Sequence, residues 1–401
     1  MSGPPTSPGP PVGGRRQPWL AARLQGLGTS VFAEMSALAV ATGSVNLGQG
    51  FPDLDGPVEV AEAAVAAIRA GVNQSPPGPG APVLRAAVAD HRRRWWGQEV
   101  DPATEVLVTA GATEALTAAI VALCEVGDEV VTFTPCYDSY PAAAAMAGAR
   151  LVTVPLRPPH WTFDPDELAA AVTARTRLVV LNSPHNPTGR VFGDAELRAV
   201  ADVCTGRDVL ALTDEVYEHL VFAGRHRPLA TLPGMAARTL SVSSAGKTFS
   251  FTGWKVGWVV GPADLVAAVR TVKQHLTYVN GAPFQPAVAL GLGLPAEVFG
   301  AVADRLRDGR DRLCAGLEAA GFVVSVPEAG YFALADGRAL GEPDGEALCR
   351  ALPGRCGVVG IPVSALDPGG EVGRPWVRFA FCKRPEVIDE AVRRLAGLRT
   401  R

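Results

Sequence analysis

The stretch that decides the fold spans residues 105–135 and reads EVLVTAGATEALTAAIVALCEVGDEVVTFTP. Its first six residues, EVLVTA, form a short apolar run before a glycine, which is typical of a buried strand. The next part, GATEALTAAIVALCEVG, is rich in helix formers and predicts a helix that ends near Gly127. DEVVTFTP then predicts a second strand. This order of strand, helix and strand indicates a parallel crossover unit.

The same alternation continues to about residue 262. Four further strands are predicted at RLVVLNSP (177–184), DVLALTDE (208–215), RTLSVSSAG (238–246) and KVGWVVGP (255–262). A helix that begins near Asp194 separates the first two of these strands. Because the strands are almost continuously apolar, they are expected to be buried on both sides. The sequence therefore predicts an α/β fold with a mostly parallel central sheet covered by helices on both faces.

After about residue 297 the pattern changes. A long charged helix is predicted at about 298–320, and FVVSVPEAGYFALAD (322–336) predicts a strand or a hairpin. PWVRFAFC (375–382) predicts another strand, followed by a terminal helix. We interpret this part as a smaller α+β domain.

Composition narrows the function classes. A net charge of −3 on 401 residues gives no reason to expect nucleic acid as a partner. No uninterrupted apolar run reaches membrane-spanning length, so no membrane association is expected. The seven cysteines form no CxxC pair, which argues against a zinc site, and with no recognisable secretory signal they indicate a reducing cytoplasm. Residues 1–18, rich in Pro, Gly and Ser, are predicted to be a disordered tail.

Polar residues follow several of the predicted strands, where ligands bind in an open α/β sheet. The small residues Gly111–Thr113 begin a helix whose free amides suit a phosphate, although such turns are also common without a ligand. Asn186 lies in SPHNPTGR, which could equally be an ordinary Asn-Pro turn. Asp214 and Tyr217 lie in TDEVYEHL. An aspartate just past a buried strand needs a cationic or hydrogen-bonding partner.

Lysine is rare in this chain, with only Lys247, Lys255, Lys273 and Lys383. Two of them lie eight residues apart in SSAGKTFSFTGWKVGW (243–258), among small and aromatic residues. Such surroundings are expected to desolvate an amine and favour the neutral nucleophile that Schiff-base chemistry needs. The alternative is two surface lysines on a loop.

These features together match the needs of pyridoxal phosphate. This cofactor needs a lysine for its aldehyde, a carboxylate at its ring nitrogen and an anion-binding turn for its phosphate. A nicotinamide site fits less well, because no GxGxxG follows a first strand.

At these residues the sequence resembles the fold-type I pyridoxal-phosphate aminotransferases of class I/II. It is similar to the group that holds kynurenine/glutamine aminotransferases, methionine aminotransferases and actinobacterial N-succinyldiaminopimelate aminotransferases. The resemblance covers roughly residues 25–395 and is carried by VNLGQGFPD, SPHNPTG, TDEVYEHL, SSAGKTFSFTGWKVGW and VRFAFCK. The order and spacing of these motifs are specific for fold and cofactor, and much less so for substrate.

The resemblance implies a role for each residue that holds the cofactor. Lys247 would form the Schiff base and then move the proton, while Asp214 would pair with the ring nitrogen. The remaining contacts would come from Tyr217 and Asn186 at the phenolic oxygen, Tyr137 stacked on the ring, and Ala112, Thr113, Ser244 and Lys255 at the phosphate.

The resemblance also implies a substrate site. Arg378 would bind the substrate α-carboxylate through two parallel hydrogen bonds, helped by Asn186 and the backbone of Gly50. From the residues alone, Arg378 is an inward-facing cation on a strand, and a structural salt bridge is the alternative. The side-chain pocket would be lined by Phe32, and by Tyr278 and Val279 from the partner subunit of a homodimer with shared active sites.

One position departs from the family pattern. Relatives usually read NQY where this chain reads NQS in NQSPPGPG (73–80), and that tyrosine reaches across the dimer to the neighbour's cofactor phosphate. Ser75 is too short for this contact. Either water or another side chain fills the space, or the substrate or reaction has changed.

Three hypotheses on function follow. The first is an aminotransferase that moves the amino group of an L-amino acid to a 2-oxo acid through a Schiff base at Lys247. The second is a diverted lyase, β/γ-replacement or carbon–carbon bond-forming enzyme, with an activated sulfur amino acid such as S-adenosylmethionine as a candidate substrate. The third is a non-catalytic regulatory module, which the full set of site residues argues against.

The resemblance further implies an arm at 19–57 joining the small domain, a large cofactor-binding domain at 58–297 and a small domain at 298–401.

Overall fold

The protein is described here by a computed structural model that covers residues 19–25, 27, 31–369 and 371–400. The tail predicted at 1–18 lies outside these residues. The helices within the described residues are α1 (Val31–Thr42), α2 (Val58–Arg69), α3 (Pro82–Trp96), α4 (Gly111–Leu123), α5 (Ser139–Ala147), α6 (Pro165–Ala171), α7 (Asp194–Gly206), α8 (Ala245–Thr248), α9 (Ala263–Lys273), α10 (Phe284–Leu292), α11 (Ala296–Ala320), α12 (Gly345–Cys356) and α13 (Pro385–Leu395).

The strands form two main sheets and one short pair. They are β1 (Val45–Asn46), β2 (Val106–Thr109), β3 (Glu129–Thr134), β4 (Arg150–Pro155), β5 (Thr176–Asn182), β6 (Leu210–Asp214), β7 (Thr239–Ser244), β8 (Gly257–Val260), β9 (Val323–Ser325), β10 (Phe332–Asp336), β11 (Val358–Val359), β12 (Ile361–Pro362) and β13 (Trp376–Ala380).

The large sheet has seven strands in the order β2-β8-β7-β6-β5-β3-β4. All its neighbours pair in parallel except β8, which is antiparallel to both β2 and β7. Successive residues of a strand point to opposite faces, so Val130 and Leu178 pack with α4, α5 and α9, whereas Val131 and Val179 pack with α6 and α7. The predicted α/β fold with a mostly parallel sheet covered on both faces is confirmed.

The small sheet is antiparallel, in the order β12-β13-β10-β9, and packs against α11, α12 and α13. The segment 322–336 is indeed a hairpin, because β9 pairs with β10. The helix predicted at about 298–320 begins slightly earlier, at Ala296 after Pro295, and ends where Gly321 adopts the left-handed φ of +103°. In the short pair, β1 lies parallel to β11, so the chain before the large sheet packs against the C-terminal part.

Two details differ from the sequence prediction. Helix α4 ends at Leu123 and not near Gly127, because Cys124 already has an extended backbone and Gly127 turns at φ +93°. Strand β4 was not predicted at all. It is the edge strand beside β3, and most of its residues are only partly buried, with Arg150 exposed and Val154 buried.

The site region lies where the carboxyl ends of the large sheet face the small sheet. Strand β6 ends at Asp214, β7 ends at Ser244 and α4 begins at Gly111, while β13 brings Arg378 from the small sheet. No single helix among the described residues is long and apolar enough to cross a membrane. Helices α10 and α11 together have the length and apolar composition of a membrane span, but the chain bends by 96° between them.

Candidate active site

The residues predicted from distant motifs meet in one cavity of about 330 Å³. All of the predicted site residues line it except Tyr278 and Val279. Those that do are Phe32, Gly50, Ala112, Thr113, Tyr137, Asn186, Asp214, Tyr217, Ser244, Lys247, Lys255 and Arg378.

Lys247 projects into this cavity from the short helix α8, directly after strand β7. Its Nζ donates to the carbonyl of Gly50 at 3.4 Å and lies 5.1 Å and 5.8 Å from the ring centres of Tyr331 and Tyr217. The Tyr331 hydroxyl donates to the Lys247 carbonyl, which fixes the backbone of the helix. Burial lowers the pKa of Lys247. The desolvated amine expected from the small and aromatic neighbours is therefore present at this lysine.

Lys255 differs from Lys247 in its surroundings. It is exposed at the rim of the cavity, so the expected desolvation does not extend to it. Its backbone has the left-handed φ of +53°, which directs the side chain back over Gly111. A Cβ placed on Gly111 would lie 3.5 Å from the Lys255 Nζ. The ammonium thus lies beside the first turn of α4.

Asp214 is the last residue of β6 and is buried beneath the cavity. Its Oδ2 accepts a 2.7 Å hydrogen bond from the Tyr140 hydroxyl, and its Oδ1 faces the backbone N–H of Val216 at 3.4 Å. Burial raises the pKa of Asp214 to about 6. The partner required by a buried aspartate is a tyrosine here, and Tyr140 was not singled out from the sequence. The signal was the second tyrosine of TPCYDSY, one helical turn after Tyr137.

The first turn of α4 forms an anion-binding end of the cavity. Gly111 has φ +77°, and the N–H groups of Ala112 and Thr113 begin the helix without intrahelical partners. Gly257 of β8 approaches this turn so closely that an added Cβ would lie 2.7 Å from the Gly111 carbonyl carbon and 2.9 Å from the Ala112 nitrogen. The close approach of strand and helix therefore requires glycine at 257.

Arg378 enters from the opposite wall and is almost completely buried. Its Nη1 donates to Asn186 Oδ1 and its Nη2 to the Gly48 carbonyl, both at 3.2 Å, and its guanidinium lies 3.9 Å from the centre of the Phe332 ring. No carboxylate of the described residues lies within 4.0 Å of it, and its Nε has no hydrogen-bond partner there. Burial lowers its pKa to about 10. A structural salt bridge, the alternative considered from the sequence, is wrong for the described residues.

The last two predicted residues lie away from the cavity of their own chain. Tyr278 is 55 % exposed and has φ +62°, and Val279 follows it on the same loop. Ser75 is also exposed and does not line the cavity. Their assignment to the partner subunit's site stays a prediction.

A second polar cluster lies behind Asp214. Glu215 accepts from Arg92 at 2.7 Å, and Glu218 accepts from Trp96 and Ser243 at 2.8 Å and 2.6 Å. Two groups there have ligand atoms close enough to hold a metal ion, namely His91, Glu218 and His219, and Glu215, Glu218 and His226. The sequence prediction considered only cysteine spacing, so the expected absence of a metal stays a prediction.

Fold and cavity together define an enzyme of the fold-type I pyridoxal-phosphate class. A family model described as aminotransferase class I and II matches residues 42–395. The chain belongs to this family, and it is an aminotransferase that depends on pyridoxal phosphate. The family resemblance, the function class and the cofactor inferred from the sequence are confirmed. The comparisons give no support to the lyase alternative.

Two relatives and one solved structure illustrate the relationship. A probable N-succinyldiaminopimelate aminotransferase of Mycobacterium tuberculosis is 53% identical over 94% of this chain and 98% of the relative. Methionine aminotransferase of Escherichia coli is 40% identical over 94% and 97%. The solved structure of N-succinyldiaminopimelate aminotransferase from Mycobacterium tuberculosis superposes with a TM-score of 0.92 at 54% identity, covering 94% of this chain and all of that one.

The residues present fit the cofactor. The cavity holds one desolvated lysine, one buried carboxylate and one helix N-terminus with a lysine beside it. The buried Arg378 has a donor nitrogen without a partner in the described residues. The lysine suits the aldehyde of the cofactor, and the buried carboxylate suits its ring nitrogen. The helix N-terminus suits the phosphate, and Arg378 suits a substrate carboxylate.

Proposed function

We propose that amino transfer in this protein proceeds through Lys247, with Asp214, Tyr217, Asn186 and Arg378 in the roles that the family resemblance implies. The observation that carries the proposal is the buried guanidinium of Arg378, which has no carboxylate within 4.0 Å among the described residues and lines the same cavity as Lys247. A buried cation without an anionic partner is costly. Its natural complement is the α-carboxylate of an amino acid whose amino group lies at Lys247.

Pyridoxal phosphate, when bound, supplies an aldehyde that takes up the amino group and a ring that accepts electron density from the substrate α-carbon. Lys247 is the base for the α-proton. Its lowered pKa keeps a fraction of the amine neutral and able to accept that proton, and the Gly50 carbonyl and two tyrosine rings hold the Nζ in place. Asp214, held by the hydrogen bond from Tyr140, would pair with a protonated ring nitrogen of the bound cofactor. That pairing would favour the ionised carboxylate and offset the cost of its burial.

The remaining site residues orient the two reactants. Asn186 uses its Oδ1 to hold Arg378, while Tyr217 lies buried beside Asp214 and keeps its hydroxyl proton because burial raises its pKa. Tyr137 is held by a 3.3 Å hydrogen bond between its hydroxyl and Thr113 Oγ1, at the anion-binding turn. Ala112, Thr113, Ser244 and Lys255 would hold the phosphate. Phe32 and Phe332 flank the guanidinium and exclude water from the carboxylate site.

We further propose a homodimer with shared active sites. Supporting it, exposed apolar side chains occur on α2, on α10 and on the loops that precede α3 and α10, namely Val58, Ile68, Val72, Leu276, Tyr278 and Leu290. Helices α2 and α10 pack on one another, so these side chains belong to one region. Exposed apolar surface of this kind marks an interaction site.

For the substrate, we propose N-succinyldiaminopimelate as amino donor. The support is the 53% identity to the Mycobacterium tuberculosis relative of that name over nearly the full length of both chains. Methionine, the substrate named for the 40% identical relative, is the natural competitor.

A cytoplasmic location is also proposed. The seven cysteines are free thiols, which agrees with a reducing compartment. The domain boundaries at 57/58 and 297/298 stay proposals, supported by the pairing of β1 with β11.

The test is a reaction without an acceptor. The holoenzyme is mixed with excess N-succinyldiaminopimelate, methionine or kynurenine in separate runs, and 2-oxo acid and ammonia are measured. We expect one 2-oxo acid per site and then no further product until a second 2-oxo acid is added. Continued turnover without an acceptor, with release of ammonia or a leaving group, would contradict amino transfer. A donor preference for methionine would contradict the substrate proposal alone.

A further inference from the structure

Lys273, the last residue of α9, is a buried lysine outside the cavity. Its side chain is 1% exposed, and its Nζ donates to the carbonyl of Gly78 at 3.1 Å and to the carbonyl of Tyr278. It makes no ion pair within 4.0 Å among the described residues, and burial lowers its pKa. Burying an ammonium group on neutral carbonyls is costly, and the negative charge of Glu114 offsets part of that cost. The two hydrogen bonds hold the carbonyls of Gly78 and Tyr278 at one buried point.

The two carbonyls belong to two separate segments. Gly78 lies in the 73–80 segment, which carries Ser75, and Tyr278 lies in the 274–283 segment, which also carries Val279. Gln285 joins the same two parts of the chain a second time. Its Oε1 accepts from the Ala81 N–H at 2.6 Å and its Nε2 donates to the Asn280 carbonyl at 2.7 Å.

The joined segments are anchored to the cofactor-binding side of their own subunit. Asn280 Nδ2 donates to the carbonyls of Lys255 at 2.8 Å and Thr109 at 3.2 Å, next to the anion-binding turn. Gly80, at φ +106°, packs so closely on Val108 that an added Cβ would lie 2.2 Å from it. The bases of both segments are therefore fixed.

The outer ends of the two segments, which carry Ser75 and Tyr278, are exposed. Tyr278 is also held in a left-handed backbone that a bulky residue rarely adopts. The Lys273 hydrogen bond to the Tyr278 carbonyl stabilises that conformation. Neither residue lines the cavity of its own chain.

We infer that Lys273 is a positioning residue that fixes the 73–80 and 274–283 segments together, so that their outer ends complete the active site of the partner subunit. The inference rests on the proposed homodimer with shared active sites. Lys273 therefore acts in trans, and its loss impairs the neighbour's site while its own cavity stays intact.

Hybrid dimers test this directly. A Lys273→Met chain is co-expressed with a Lys247→Ala chain, each with a different affinity tag, and the hybrid is purified through both tags. In the hybrid the intact Lys247 lies in the Lys273→Met chain and receives its segments from a chain with normal Lys273. We expect the hybrid to show about half of the wild-type rate per dimer, because one of two equivalent sites is complete. The Lys273→Met homodimer should show a raised KM for the amino donor.

If the hybrid is no more active than half of the Lys273→Met homodimer, Lys273 acts on its own site and the inference is wrong. Gln285→Met, which breaks the second link, should be rescued by the same hybrid and provides an independent variant if Lys273→Met fails to fold. Amide hydrogen exchange of the cofactor-free Lys273→Met dimer should quicken at 73–80 and 274–283 but not at 239–247. Unchanged exchange would also overturn the inference. A wild-type enzyme without amino transfer would refute the proposed function and leave the exchange result as the test of Lys273.

Discussion

Arg378→Gln separates the cost of a buried charge from its use in binding. Arg378 contacts only neutral acceptors among the described residues, and no carboxylate lies within 4.0 Å. Removing one partner of a buried ion pair costs about 3–5 kcal/mol, so kcat/KM for an L-amino acid should fall roughly 150- to 5,000-fold. The loss is expected because the substrate α-carboxylate is left buried without its cation.

The stability of the cofactor-free protein should respond in the opposite direction. Burial lowers the pKa of Arg378 to about 10. Holding the charged form inside the protein therefore costs about 3 kcal/mol, and the variant no longer has this cost. The free energy of unfolding of the Arg378→Gln protein should be unchanged or higher than that of the wild type.

Two assays, run on the same preparations, decide the matter. Steady-state kinetics with varied amino donor give kcat/KM, and urea unfolding of the cofactor-free protein gives stability. Arg393→Gln is the control. Arg393 is exposed on α13 and, among the described residues, forms an ion pair only with Glu390, so this variant should leave both values unchanged. A variant that loses several kcal/mol of stability while keeping kcat/KM would refute the reasoning and make Arg378 a structural residue.

Three other predictions concern the cofactor side. Burial raises the pKa of Asp214 to about 6 in the cofactor-free protein, so its ionisation removes stability as the pH rises from about 4 to above 6. Asp214→Asn should therefore raise the Tm of that protein much more at pH 8 than at pH 4; equal shifts at both pH values would contradict this. Gly257→Ala should weaken pyridoxal phosphate binding by about tenfold or more in equilibrium dialysis, since its Cβ would lie 2.7 Å from Gly111, whereas Gly253→Ala, with no atom within 4 Å, should not. Ser75→Tyr should tighten cofactor binding and speed amino transfer; no change in either would show that this side chain does not reach the partner's site.

Much of the fold follows from local sequence patterns. Continuous apolar runs such as LVVLN are strands because a sheet covered on both faces needs them. Strand β4 escaped prediction because it lies at the sheet edge, where most of its residues are only partly buried and do not form a continuous buried apolar run. The antiparallel direction of β8 is set by its pairing with β2 and β7, and nothing within its own four residues encodes that direction.

The candidate site, like the fold, could be predicted from the sequence only in part. Lys247, Asp214 and Asn186 could be predicted because each lies in a motif at the carboxyl end of its strand. Their partners could not be predicted, because they come from far along the chain. The Gly48 carbonyl that holds Arg378 is 330 residues away, and the Gly50 carbonyl that holds Lys247 is 197 residues away. The Lys273 contacts were missed for the same reason.

The central claim is that the cofactor is attached at Lys247. Borohydride reduction of the holoenzyme, followed by peptide mass spectrometry, tests it most directly, because the chain has only four lysines. The account predicts the reduced cofactor on the peptide that contains Lys247 and on none of those that contain Lys255, Lys273 or Lys383. Cofactor found on any of these three lysines, with Lys247 unmodified, would contradict it.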